Sequence, residues 1–74
     1  MRIEEAFGRL VKKLRLDRGL TQPALALSAG VTERYLRDLE QGKASPTLTV
    51  VVSLANSLEV DADELVKQTV ESSK

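Results

Sequence analysis

The chain of 74 residues has no cysteine, no histidine and no tryptophan, and Phe7 and Tyr35 are its only aromatic residues. Without cysteine there is no disulfide, no thiol nucleophile and no thiolate ligand for a metal. Without histidine there is no imidazole to bind zinc or to exchange protons near neutral pH. The remaining residues assemble no nucleophile with a base and an orienting group. We therefore expect no enzyme, no metal site, no cofactor and no small-molecule ligand.

Long apolar runs are also absent. No stretch approaches the ~20 apolar residues that a membrane-spanning helix needs. The first fifteen residues contain Glu4 and Glu5 and lack the unbroken apolar segment of a signal peptide. These features predict a cytoplasmic protein without a membrane partner.

Charge of one sign is not in excess, because 11 Lys and Arg residues balance 11 Asp and Glu residues. The distribution is uneven, however. Residues 1–43 hold nine basic and six acidic residues, whereas residues 44–74 hold two and five. A basic front half is typical of a surface that faces a polyanion, although ordinary solvated charge explains the same counts and non-specific affinity should be modest.

Apolar periodicity predicts helices along the whole chain and one domain over residues 1–74. A first helix is expected over residues 3–18, a fourth over 48–58 after the cap Thr47, and a fifth from Asp61 to about Thr69, followed by a frayed tail. The β-branched run 50–52 could form a strand, but an isolated strand would have no partner. The apolar residues of the fourth helix that can contribute to the core are Leu48, Val51, Val52, Leu54, Ala55 and Leu58.

Between these elements, residues 21–42 predict two short helices joined by a tight turn. Thr21 and Thr32 are suited to cap the two helices, and Pro23 is tolerated in a first turn. Gly30 ends the first helix, because a residue without Cβ enters the left-handed region cheaply, and Gly42 ends the second. Two short helices around a glycine turn are the pattern of a helix-turn-helix.

The order and spacing of these residues resemble the Cro and phage-repressor family of DNA-binding proteins, also called the XRE family. The resemblance covers most of the chain, from the first helix to Leu65. The residues that support it are Arg15, Gly19, Leu20, Thr21, Gln22, Leu25, Ala26, Ala29, Gly30, Val31, Thr32, Tyr35, Leu36, Leu39, Glu40, Gln41, Gly42, Pro46, Thr47, Leu48, Leu54 and Ala55. It implies an all-α, five-helix, lambda-repressor-like fold, a structural ion pair between Arg15 and Glu40, operator binding in double-stranded DNA and a homodimer.

In this architecture the second helix of the motif enters the major groove with its N-terminal residues against base edges. Arginine donates two hydrogen bonds to guanine, so Arg34 is the first candidate for base reading. The other candidates are Arg37, Glu33, Thr32 and Asp38. Candidate contacts to the DNA backbone are Gln22, Thr21, Tyr35, Lys43, Ser45 and Thr47, of which the threonines have simple helix capping as their alternative.

A homodimer is expected to associate through residues 48–70, using Val50, Leu65, Val66 and Val70, with helix one around Ile3 and Phe7 as the alternative surface. In size and pattern the chain is similar to the controller proteins of restriction–modification systems. Small phage repressors and antitoxin regulators fit almost as well. A protein-interaction module that uses the same fold and binds little DNA is the alternative of another class, and the neutral net charge favours it.

Overall fold

Hydroxyl side chains start the three middle helices, as the sequence predicts. The side-chain oxygens of Thr21, Thr32 and Thr47 each accept the backbone N–H three residues further on, at 3.2, 3.0 and 3.2 Å. Such a bond satisfies one of the N–H groups that a helix leaves without a partner in its first turn.

The computed structural model describes all 74 residues and contains five α-helices and no strand, which confirms the predicted all-α fold. The helices are α1 (Ile3–Asp17), α2 (Gln22–Ala29), α3 (Glu33–Glu40), α4 (Leu48–Ser57) and α5 (Ala62–Ser73). The longest, α1, packs against α3 and α5, while α2 packs against α3 and α4. No helix is long and apolar enough to cross a bilayer.

One apolar cluster lies between the helices, and every helix contributes to it. Its buried members are Phe7, Val11, Leu25, Ala26, Ala29, Leu36, Leu39, Val51, Leu54, Ala55, Leu58 and Leu65. Each fully buried leucine contributes about 1.5–3 kcal/mol of transfer free energy, so this cluster provides most of the force that holds the short helices together.

Helix α1 crosses α3 very closely at Gly8. A Cβ atom at this position would overlap the carbonyl oxygen of Leu39 and would meet that of Glu40 at 2.9 Å. The missing side chain therefore lets the C-terminal turn of α3 lie directly on α1, which fixes the position of α3 relative to the rest of the molecule.

Helix α5 is longer than the sequence indicates. It continues to Ser73 instead of ending near Thr69, so the expectation of a frayed tail from Glu71 is wrong for most of that segment. The reason is tertiary packing, because α5 lies along α1 and Ser72 lines a shallow cleft with Met1 and Ala6. The hydroxyl of Thr69 is buried and donates to the Leu65 carbonyl at 2.8 Å.

The orientation of α4 also differs from expectation. Leu48 and Val52, which the apolar pattern assigns to the core, are 79% and 43% exposed. Val51, Leu54 and Ala55, which are also expected in the core, do face inward. Helix α4 therefore presents an apolar strip on its outer side.

Candidate nucleic-acid interface

Helices α2 and α3 form the predicted pair. Gly30 has a φ of 73°, and this left-handed residue lets the N–H of Val31 reach back to the Ala26 carbonyl at 3.0 Å. Leu36 and Leu39 anchor α3 and have no exposed surface. The opposite side of α3 is consequently free to present its polar side chains to solvent.

The outward face of α3 places four of the predicted base-reading residues at the surface: Thr32, Glu33, Arg34 and Arg37. The guanidinium of Arg34 forms no hydrogen bond or ion pair within the protein, so all its N–H donors are available. Arg37 lies 3.6 Å from Glu33, measured from Nη2 to Oε2, one helical turn away. The two arginines therefore differ: Arg34 is unpaired, whereas Arg37 and Glu33 form an exposed i,i+4 pair.

Two further residues complete this face. Asp38 is half-buried and its carboxylate pairs with none of the neighbouring cations, including Lys43, whose backbone N–H donates to the Asp38 carbonyl at 2.9 Å. Gln41, which the sequence interpretation did not select, is exposed at the end of α3 and lies one turn beyond Arg37. The helical spacing of positions 34, 37 and 41 was the available signal, since it places them on one side of the helix.

The residues predicted to contact the DNA backbone lie in α2, in α3 and in the loops beside α3, and most of their side chains already have partners in the protein. The Tyr35 hydroxyl donates to the Ser45 carbonyl, and the Ser45 hydroxyl donates to Oε2 of Glu4, both at 3.3 Å. Thr21 and Thr47 accept their capping bonds. The ammonium group of Lys43 is exposed and unpaired. Of this set, Lys43 is thus the residue with a free cationic group.

The first turn of α1 braces the loop that follows α3. Nη2 of Arg2 donates to the Gly42 carbonyl at 2.9 Å. The backbone N–H of Arg2 donates to Oε1 of Glu5 at 3.2 Å, and this bond lowers the pKa of Glu5 below its ordinary value, with a smaller contribution from the Arg2 charge. The brace joins the N-terminus of the chain to the end of α3.

A buried polar network joins α1, α2 and α3. Nε and Nη2 of Arg15 donate to the two carboxylate oxygens of Glu40 at 2.7 and 3.0 Å, and both side chains are nearly inaccessible to solvent. Nη1 of Arg15 donates to the Leu20 carbonyl at 2.9 Å. Nε2 of Gln22 donates to Oε1 of Glu40 at 3.0 Å. The network fixes the start of α2 against the end of α3.

A family model described as helix-turn-helix matches residues 11–65 of the chain. The chain belongs to this family, in its XRE type. It is 35% identical to the uncharacterized HTH-type transcriptional regulator y4dJ of Sinorhizobium fredii over 69 residues, which are 93% of this chain and 90% of that one. Its relatives in this family are transcriptional regulators, and the chain is a helix-turn-helix regulator of the XRE type.

Solved structures of XRE-type proteins agree with the fold. The restriction–modification controller protein C.AhdI of Aeromonas hydrophila superposes with a TM-score of 0.81 at 31% identity, over 84% of this chain and 94% of that one. The clp gene regulator ClgR of Corynebacterium glutamicum superposes with a TM-score of 0.90 at 24% identity, over 100% of this chain and 95% of that one. The latter likeness shows the fold alone.

The predicted dimerisation residues of this XRE-type regulator have unequal exposure. Leu65 is 2% exposed and belongs to the core, so its assignment to an interface is wrong. Val50 is half-buried against the core, whereas Val66 and Val70 are 43% and 39% exposed. Phe7, named for the alternative surface, is also buried, and it forms the floor of an open apolar groove of about 230 Å³ beside Val66.

Proposed function

We propose that this XRE-type regulator binds an operator in double-stranded DNA, with α3 in the major groove and Arg34 as its main base-reading residue. The observation that supports this most strongly is the free guanidinium of Arg34 on the exposed face of α3, anchored from behind by Leu36 and Leu39. A free guanidinium matches the two acceptors, N7 and O6, that guanine presents in that groove.

The exposed pair of Glu33 and Arg37 has a secondary role in this proposal. Glu33 accepts from the amino group of cytosine, while Arg37 reads guanine or a phosphate. Because each constrains the other at 3.6 Å, their contribution depends on exchanging the pair for contacts to DNA. Lys43, whose ammonium group is exposed, contributes a phosphate contact that is independent of base sequence.

The operator complex is proposed to contain a homodimer. The four exposed apolar side chains of α4 and α5, here called the α4–α5 surface, are Leu48, Val52, Val66 and Val70. Because α3 packs on α1 and α2, a dimer formed through α4 and α5 leaves α3 free for DNA. Two-fold symmetry then sets two copies of α3 on half-sites about one helical turn apart.

The regulatory role that we propose is control of transcription through protein concentration, as in a controller of a restriction–modification system. The likeness to C.AhdI at 31% identity, over 94% of that protein, supports this choice. A protein-interaction module of the antitoxin type is the second candidate, and the net charge of zero favours it. The two differ in whether the protein binds its own upstream DNA.

Replacing Arg34 tests the assignment directly. Arg34→Ala is expected to weaken binding to the upstream region of the protein's own gene by roughly 1–3 kcal/mol, and to relax the preference at one base position. Fluorescence anisotropy with labelled duplexes measures both effects. Arg9→Ala is the matched control, since Arg9 is an exposed cation beside Lys13 and Ser72, on the side of α1 that faces α5. Equal losses in both variants would leave only general charge attraction and would contradict the assignment to Arg34.

A further inference from the structure

The amide of Gln22 has only one possible orientation in this fold. Its hydrogen-bond partner is the carboxylate of Glu40, at 3.0 Å. A carboxylate in an ion pair with arginine accepts hydrogen bonds and donates none, so the nitrogen of the amide must face Glu40 and the oxygen must point away. No buried side-chain oxygen lacks a partner, and Oε1 of Gln22 accepts no bond, so this oxygen is accessible to solvent.

Two donors of Gln22 remain without a partner. The second N–H of its amide donates to no group in the protein, and neither does its backbone N–H. Other donors of this first turn are satisfied or missing: Thr21 accepts the N–H groups of Ala24 and Leu25, and Pro23 has none. The two free donors therefore belong to one residue at the start of α2, where the helix dipole also favours an anion.

We infer that Glu40 is a positioning residue for DNA binding, which holds Gln22 as a donor to a backbone phosphate. The inference rests on the proposed function. The Nε2 atom of Gln22 bridges Glu40 on one side and the phosphate on the other. Reversing the amide would put Oε1 in the position of Nε2, between Glu40 and the phosphate, and both of these anions would repel it.

Arg15 makes this arrangement compatible with a polyanion. A carboxylate next to a phosphate is unfavourable, but both oxygens of Glu40 are paired with the Arg15 guanidinium, which neutralises the charge. The Arg15 bond to the Leu20 carbonyl also fixes the chain two residues before Gln22. The ion pair thus has two effects, stabilising the fold and orienting a side chain that faces DNA.

A double-mutant cycle separates these effects. Glu40→Gln replaces a pure acceptor with an amide, so Gln22 can adopt both orientations. Gln22→Met keeps the length of the side chain and the backbone N–H but removes the amide donors of the side chain. In the otherwise unchanged chain, Glu40→Gln is expected to weaken operator affinity about three- to tenfold without changing which bases are preferred. In the Gln22→Met background the same change is expected to have little effect on affinity.

Affinities are measured at a temperature where circular dichroism shows every variant folded. An equal loss in both backgrounds would show that Glu40 acts only on the fold and would overturn the inference. If the unchanged chain binds no duplex, the proposed function and this inference fail together, whereas binding without coupling refutes the inference alone.

Removing one partner of a buried ion pair destabilises a protein strongly, and this loss can leave Glu40→Gln unfolded at usable temperatures. A measurement on the unchanged chain covers that case. In ¹H–¹⁵N spectra of the free protein, one Gln22 side-chain N–H should be shifted by its bond to Glu40, and addition of operator DNA should shift the other. A second N–H that stays at its free position in the complex would overturn the inference.

Discussion

Gly8 lies in the middle of α1, where glycine is normally unfavourable by about 0.5–1 kcal/mol relative to alanine. Helix propensity alone predicts that Gly8→Ala stabilises the protein. The close approach of α3 predicts the opposite, because the new Cβ would overlap the Leu39 carbonyl oxygen. We expect Gly8→Ala to lower the free energy of unfolding by roughly 1–3 kcal/mol or more, measured by urea denaturation.

Thr49→Ala is the control for this substitution. Thr49 is an exposed residue of α4 with no hydrogen-bonded side chain, so alanine there should be neutral or slightly stabilising. If Gly8→Ala also raised the stability, α1 and α3 could not be as close as described.

Glu5 is a second single residue whose contribution to the stability of the fold can be tested, and this contribution depends on pH. Its pKa is lowered in the folded protein, chiefly by the bond from the Arg2 backbone N–H. The stabilisation is therefore complete above the pKa of the unfolded chain and is lost as the pH falls through the lower pKa of the folded protein. Thermal unfolding between neutral and acid pH is expected to show a smaller acid-induced loss in Glu5→Gln than in the unchanged chain. Identical pH profiles would contradict this role.

At the scale of the elements, the junction between α4 and α5 combines strain with an ion pair. Glu59 is the only non-glycine residue with a positive φ, at 57°, and its carboxylate lies 2.7 Å from Nη1 of Arg18. The left-handed conformation costs roughly 1–2 kcal/mol for a residue with a side chain. An exposed pair of this kind contributes about 0–1 kcal/mol.

We therefore expect Arg18→Ala to cost less than about 1 kcal/mol in urea unfolding. When Glu59→Gly is added to Arg18→Ala, it should raise the stability by about 1 kcal/mol, since no ion pair remains to be lost and glycine relieves the strain. A further loss of stability in the double variant would mean that Glu59 stabilises the junction in another way.

The helices that the sequence predicts best are those whose ends depend on neighbouring residues. The caps Thr21, Thr32 and Thr47 act over three residues, and Gly30 acts through its own φ, so a local pattern suffices. The length of α5 and the outward side of α4 depend on packing between distant segments. The apolar periodicity of a helix does not reveal which of its apolar faces is covered by the rest of the protein. Leu48 was wrongly assigned to the core for this reason.

The residues of the candidate site divide in the same way, into features that a local pattern predicts and features that depend on distant residues. The outward positions of Arg34 and Arg37 follow from helical spacing once Leu36 and Leu39 are buried. The bonds of Tyr35 to Ser45 and of Gln22 to Glu40 join residues ten and eighteen positions apart, so the sequence alone could not reveal them.

At the scale of the whole molecule, the proposed dimer predicts that a new carboxylate disrupts association on one surface of the protein and has no such effect on another. Val66→Asp places a carboxylate within the α4–α5 surface and should shift sedimentation from dimer to monomer at micromolar concentration, with weaker operator binding and unchanged helicity. Leu27→Asp is the control, because Leu27 is an 85% exposed apolar residue of α2 and is not part of that surface. A Val66→Asp variant that remains dimeric would place the interface elsewhere.

The central claim is that this XRE-type regulator reads DNA sequence as a symmetric pair through Arg34. Selection of bound duplexes from a randomised library, followed by sequencing, tests it most directly. We predict enrichment of an inverted repeat whose half-sites lie about one helical turn apart, with a guanine in each half-site that loses its enrichment when Arg34→Ala is used. A library that remains random after selection, or a motif that Arg34→Ala leaves unchanged, would contradict the claim.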